Sequence, residues 1–216
     1  MTVAPSVPSV RVPSPGLVQT PDLDGMAITC FAGGREGVDS TFLAAACETG
    51  AWLARCNTQL VYGGGQFGVM GALNRGYRQA GGRKVTGVLL DHFESRGRVD
   101  AIGSAVERHS DLGARKTSMI RAADGILVLP GGIGTLDELL SALALVQVNA
   151  CTAPIVLYDV RGFFRPILGC LEALATDGFC RHDELGVLSC CSDLEHVGAI
   201  FAAAWMGRTS ATGGDR

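Results

Sequence analysis

Two adjacent charged pairs, Arg115-Lys116 and Asp137-Glu138, stand near the starts of segments with helical periodicity. A carboxylate can stabilise the oxocarbenium-like sugar that forms as an N-glycosidic bond breaks, and can activate water. An arginine fork can hold a departing base and offset its developing negative charge. Glu138 and Arg115 are therefore the catalytic candidates, with Lys116 available to balance Asp137, Glu138 or a phosphate. Plainer readings stand beside these. Thr135-Leu136-Asp137-Glu138 has capping-box spacing, in which Thr135 caps the helix and Glu138 reaches back. Arg115-Lys116 could equally be a solvated basic pair.

Two glycine-rich turns supply what such a reaction needs around it. In VYGGGQFGVMG (61–71) an apolar strand runs into Gly63, Gly64, Gly65 and Gly68 and then into a helix, and PGGIGT (130–135) repeats the arrangement with Gly131, Gly132, Gly134 and the Thr135 hydroxyl. Without β-carbons the backbone N–H groups can approach a phosphate, and a helix N-terminus adds partial positive charge. Two such turns on one sheet edge would hold a sugar phosphate from both sides. Neither is a Walker A loop, because no Gly-Lys-Ser/Thr follows.

The first turn also fits GxGxxG, and Asp91 follows Gly68 by 23 positions, where a dinucleotide-binding protein would carry its ribose acid. An NAD-dependent oxidoreductase is thus one alternative. Against it, the turn belongs to the second βα unit, and the second turn would be left without a task. A non-catalytic nucleotide or cofactor carrier, using the same loops for binding alone, is the other. Nucleophile patterns such as GxSxG are absent, and His92, His109, His182 and His196 show no mutual arrangement.

The elements that must position these residues alternate along the chain. From Met26 the apolar runs MAITCFA, QLVY, KVTGVLL, GILVLP and PIVLYDV read as strands. Helix-like segments lie between or after them: FLAAACETGAWLARC, the stretch from VMGALNRGY to Gly81-Gly82, LGARKTSMIRAA, TLDELLSALALVQV, and the regions near 163–176 and 193–206. A polar loop is expected from Asp91 to Asp100. Unbroken apolar strands have no face to give to water, so they should be parallel and covered by helices on both sides. The fold class is therefore α/β, a Rossmann-like doubly wound parallel sheet in a single domain, with ligands bound beyond the carboxyl ends of the strands.

Composition narrows the partners. A chain of 216 residues with 47% hydrophobic content can bury one sizeable core, and a formal charge of -3 with scattered Lys and Arg offers no footprint for nucleic acid. Five of the eight prolines fall in residues 1–21. The expected division is a disordered segment over 1–25, a domain over 26–206 and a flexible tail over 207–216. The eight cysteines lie mostly in apolar runs and lack metal-binding spacing, which implies reduced thiols, a cytoplasmic setting and no metal site. Neither a signal peptide nor a spanning helix is read.

GGGQFGVMG, the ARK that precedes Met119, and PGGIGTLDELL resemble, in that order, the motifs of the Lonely Guy (LOG) family, formerly described as lysine decarboxylases. The resemblance covers residues 26–200 and implies a cytokinin riboside 5′-monophosphate phosphoribohydrolase. It further implies a Rossmann-like homodimer with active sites near the subunit interface and no metal or redox cofactor. By its pattern Arg115 and Glu138 match the catalytic pair, and Gly131 to Thr135 match a phosphate cradle. Gly64, Gly65 and Asp137 join them at phosphate or ribose, and Gly33, Gly34, Lys116 and Met119 fall beside the rest of the substrate. The chain departs from the family in its first loop, where Cys30-Phe31-Ala32-Gly33-Gly34-Arg35-Glu36-Gly37 stands in place of a CGSS-like stretch, and in Gly113, where a histidine is usual. The expected reaction is hydrolysis of a nucleoside 5′-monophosphate, whether cytokinin riboside monophosphate, AMP or a related nucleotide, to free base and ribose 5-phosphate. No membrane or nucleic-acid polymer is expected as a partner.

Overall fold

The computed structural model describes residues 21–91 and 105–212, with side chains as far as residue 207. The expected leading segment up to residue 20, most of the polar loop after Asp91, and the last four residues of the tail lie outside the described residues.

Seven strands form one sheet: β1 (Ala27–Phe31), β2 (Gln59–Tyr62), β3 (Val85–Leu90), β4 (Ala105–His109), β5 (Gly125–Val128), β6 (Ile155–Tyr158) and β7 (Leu188–Cys191). Six described helices follow or join them: α1 (Ser40–Arg55), α2 (Gly68–Gln79), α3 (Leu112–Arg121), α4 (Ile133–Gln147), α5 (Arg165–Thr176) and α6 (Leu194–Thr212). The strand order is β4-β3-β2-β1-β5-β6-β7, and every pairing is parallel. This is the doubly wound α/β sheet that the apolar strands predict.

Alternation along the strands divides the core in two. Ile28, Cys30, Leu60, Tyr62, Leu127 and Val156 face one layer with Trp52, Leu73 and Phe201 of α1, α2 and α6. Phe31, Val61, Val88, Ile126, Val128 and Leu157 face the other with Met119, Leu139 and Leu171 of α3, α4 and α5. Each of those side chains is at least nine-tenths buried, and burial on this scale contributes about 1.5–3 kcal/mol per large side chain relative to exposure.

The core begins before β1: Leu23 and Met26 are fully buried. Two strands carry no strand signal in the sequence, and both are sheet edges. β4 (AVERH) is charged and largely exposed, while β7 (LSCC) is only four residues long and half-buried. Edge strands bury one side at most, so they lack the continuous apolar run by which central strands are read.

The order in which strands are added reverses between β1 and β5, and this topological switch point opens a crevice at the strands' carboxyl ends. The loops leaving β1, β2 and β5 all reach it.

Candidate active site

A hollow of about 1140 Å³ lies over the switch point. Both glycine turns border it: Gly63 and Gly65 on one side, and Gly131, Gly132, Gly134 and Thr135 on the other, with Arg115, Asp137 and Glu138 between. Gly33 and Gly34 of the first loop also line it. The two turns therefore share one cavity, and the side chains at 115 and 138 converge there.

The first loop joins the turns. Gly33 N–H donates to the Pro130 carbonyl at 3.2 Å, extending the β1–β5 ladder past its strand ends, and Met70 N–H donates to the Gly33 carbonyl at 2.9 Å. A β-carbon on Gly33 would lie 2.9 Å from Gly131 Cα, so the close approach of these backbones excludes a side chain there. Helices α2 and α4 both begin without a side-chain cap and without an acidic residue in the first turn. In contrast, Asp39 caps α1 through Thr41 N–H, and Asp111 caps α3 through Ala114 N–H. The uncapped starts leave backbone donors and partial positive charge facing the hollow, which suits an anion.

At its centre Arg115 Nη1 donates to Glu138 Oε1 at 2.8 Å, with side-chain exposures of only 6% and 8%. Arg115 Nε donates to the Val88 carbonyl of β3 at 2.9 Å, so the guanidinium is anchored from two elements besides its own helix. Gly63 makes room for it, since a β-carbon there would lie 2.5 Å from Arg115 Nη2. Burial pushes the Glu138 carboxyl above its ordinary range, and the attraction of Arg115 offsets that only in part. A buried carboxylate held against a fixed guanidinium can face a developing sugar cation without being quenched by water.

One residue along on each helix, Lys116 Nζ donates to both Asp137 oxygens at 2.7 and 2.8 Å. Asp137 lines the hollow, whereas Lys116 stands behind it.

Four expectations change on this geometry, the first being that Lys116, expected beside the substrate, is not part of the hollow's lining. The capping-box reading fails because Gly132, not Thr135, occupies the cap position, which sets Thr135 inside the first turn with its side chain packed on Gly131. Glu138 is thereby a turn further in and turns to Arg115. Met119 does not reach the hollow: it is fully buried in the core, and its carbonyl accepts from the Thr29 hydroxyl at 2.8 Å. Gly64 is absent from the hollow's lining, and a β-carbon there would run into the Leu89 side chain.

Several lining residues were not singled out by sequence reasoning, among them Phe42, Met70, Leu112 and Phe163. Phe42 and Phe163 meet edge to face, ring centroids 5.7 Å apart, although 121 residues separate them in sequence. In sequence they read as ordinary helix and loop apolar residues. Asp91, the acid a dinucleotide site would need, is exposed and does not line the hollow. The glycine-rich GxGxxG turn also follows β2 rather than β1, two observations that weigh against the dinucleotide alternative.

Comparison with known proteins agrees with these motifs. The family described as "Possible lysine decarboxylase" matches residues 70–200. The probable cytokinin riboside 5′-monophosphate phosphoribohydrolase LOGL2 of Oryza sativa subsp. japonica is 35% identical over 154 residues, covering 71% of this chain and 63% of that protein. Cytokinin riboside 5′-monophosphate phosphoribohydrolase LOG4 of Arabidopsis thaliana is 34% identical over 152 residues, 70% of each chain. The match thus spans less than two thirds of the rice relative's length. The solved molybdenum cofactor carrier protein of Chlamydomonas reinhardtii shares the fold, with a TM-score of 0.64 at 20% identity over 84% of this chain and 99% of that one. On the extent of the family match and the identity to these relatives, the chain belongs to the Possible lysine decarboxylase family, which is the LOG family.

Proposed function

We propose that the protein hydrolyses the N-glycosidic bond of a nucleoside 5′-monophosphate, releasing the free base and ribose 5-phosphate. The observation that carries this reading is the buried Arg115–Glu138 pair, 2.8 Å apart, within a hollow bordered by two glycine turns. The backbone donors of Gly131 to Thr135 and the start of α2 take the 5′-phosphate. Glu138 faces the ribose and stabilises its cationic transition state, Arg115 assists departure of the base, and water completes the reaction. The cytokinin riboside monophosphates named for the relatives belong to the substrate class tested first, with AMP beside them. Amino-acid decarboxylation through a Schiff-base lysine fits poorly, because neither Lys84 nor Lys116 lines the hollow.

The same reading makes the protein a homodimer with its sites near the interface. Ile133, Leu140 and Val148 of α4 and its C-terminal cap follow a helical stripe and are 83%, 44% and 68% exposed, an apolar face suited to a second copy.

A panel of nucleoside monophosphates with the matched nucleosides, scored for free base by chromatography, tests the reaction. Base release from the monophosphates and not from the nucleosides is the expected result. Stoichiometric retention of an intact nucleotide without base release would instead identify a carrier.

A further inference from the structure

Five charged residues line the hollow: Arg35, Asp39, Arg115, Asp137 and Glu138. Four of them are already matched. Arg115 and Glu138 hold each other, Lys116 holds Asp137, and Arg161 Nη1 donates to Asp39 Oδ2 at 2.8 Å. Asp39 also accepts from Thr41 N–H. Arg35 alone has no ion-pair or hydrogen-bond partner for its guanidinium among the described residues, so the uncompensated charge of the lining is a single positive one at residue 35.

The backbone beneath that charge is fixed in place. The Arg35 carbonyl packs against Gly68, the first residue of α2, which has φ +60 and no room for a β-carbon. Two residues back, Gly33 is hydrogen-bonded to Met70 of α2 and to Pro130 of the turn before α4. Arg35 is therefore rooted between two uncapped helix N-termini. Arg35 is exposed, so its charge is open to a ligand arriving from solvent, and an anion seated at the two helix starts could be shared with it.

We infer that Arg35 is the specificity-determining cation that binds the 5′-phosphate, selecting a phosphate monoester dianion over the neutral nucleoside. The inference rests on the proposed function for the identity of the ligand, and it adds a charged side chain to a cradle otherwise made of backbone donors.

The test compares the wild-type protein with Arg35→Gln and Arg35→Lys, measuring calorimetric binding of ribose 5-phosphate and of AMP against adenosine. Arg35→Gln should weaken both phosphate ligands about tenfold and leave adenosine unchanged, with Arg35→Lys recovering most of the loss. The salt dependence of ribose 5-phosphate binding should be shallower in Arg35→Gln than in wild type. In hydrolysis, KM should rise with kcat nearly constant, the signature of lost uniform binding. Equal affinity of wild type and Arg35→Gln for ribose 5-phosphate, or an equal loss for adenosine, would overturn the inference. Arg35-dependent binding of ribose 5-phosphate in a protein that releases no base would uphold it while removing the hydrolase reading.

Discussion

Arg115–Glu138 and Lys116–Asp137 are neighbouring ion pairs built from the same two helices, one residue apart on each, yet they sit in different electrostatic surroundings. The first is buried at 6% and 8% side-chain exposure and lies within the hollow; the second is 17% and 41% exposed and meets water. A one-residue step along a helix turns a side chain by about 100°. On α3 and α4 that step separates a pair facing the sheet from one facing outward. In water an ion pair is screened and worth little, whereas burial removes the screening and raises both the desolvation cost and the force each charge exerts on its surroundings. Burial, more than the residue types, makes the inner pair the candidate for chemistry.

The largest contrast should come from Arg115→Met. It strands Glu138 without its partner, so stability at neutral pH should fall by about 3–5 kcal/mol in denaturant titrations, together with loss of activity. The sign with pH is fixed by the raised Glu138 carboxyl: a carboxyl whose folded value lies above its unfolded one is favoured by protonation, and that stabilisation is lost as pH rises through the folded value. The deficit of Arg115→Met should therefore shrink as pH falls toward the ordinary carboxylate value of 4.5. A deficit independent of pH would mean that the lost bond to the Val88 carbonyl, not the stranded charge, is responsible.

Glu138→Gln keeps the shape and a hydrogen-bond acceptor for Arg115. Base release should drop on the order of a hundredfold or more while the thermal melt stays cooperative. Near-wild-type turnover would remove Glu138 from the chemistry. In the wild-type protein, loss of kcat on the acid side should track protonation of Glu138 and so begin above pH 4.5, a shift that Lys116→Met should barely alter.

Gly63→Ala presses a methyl against Arg115 Nη2 and the Met70 side chain, and should cost about 1–3 kcal/mol with a fall in activity through displacement of the guanidinium. Lys116→Met and Asp137→Asn should each change stability by less than about 1 kcal/mol, and a double-mutant cycle between them should give a coupling well below that of Arg115 with Glu138. An outer coupling as large as the inner one would end the distinction drawn from exposure.

Much of the central architecture is legible in the chain. GILV and IVLY are apolar at every position because both of their faces are covered, and that pattern alone argues for parallel strands between two helical layers. The edges are harder to read. AVERH exposes most of its side chains and LSCC has four residues, so neither carries the signal of a central strand. Glu138 shows the same limit at the site. Its spacing from Thr135 fits a capping box, and only the placement of Gly132 as the cap turns it toward Arg115. Met119, conspicuous within the ARK motif segment, lies on the face of α3 that packs into the core.

What the amino-acid order determines by itself is local: glycines that let backbone donors face a ligand at the ends of β2 and β5, apolar runs that commit those strands to a sheet interior, and hence a cavity at the carboxyl edge. The tertiary structure decides which charges meet. Arg115 reaches Glu138 across 23 positions because α3 and α4 pack on the same face of the sheet, and among the described residues the packing brings no acid to Arg35, whose loop is tied to the helix starts through Gly33. Periodicity records which side of an element is buried, but pairing and desolvation depend on distances between elements, and those exist only once the chain has folded.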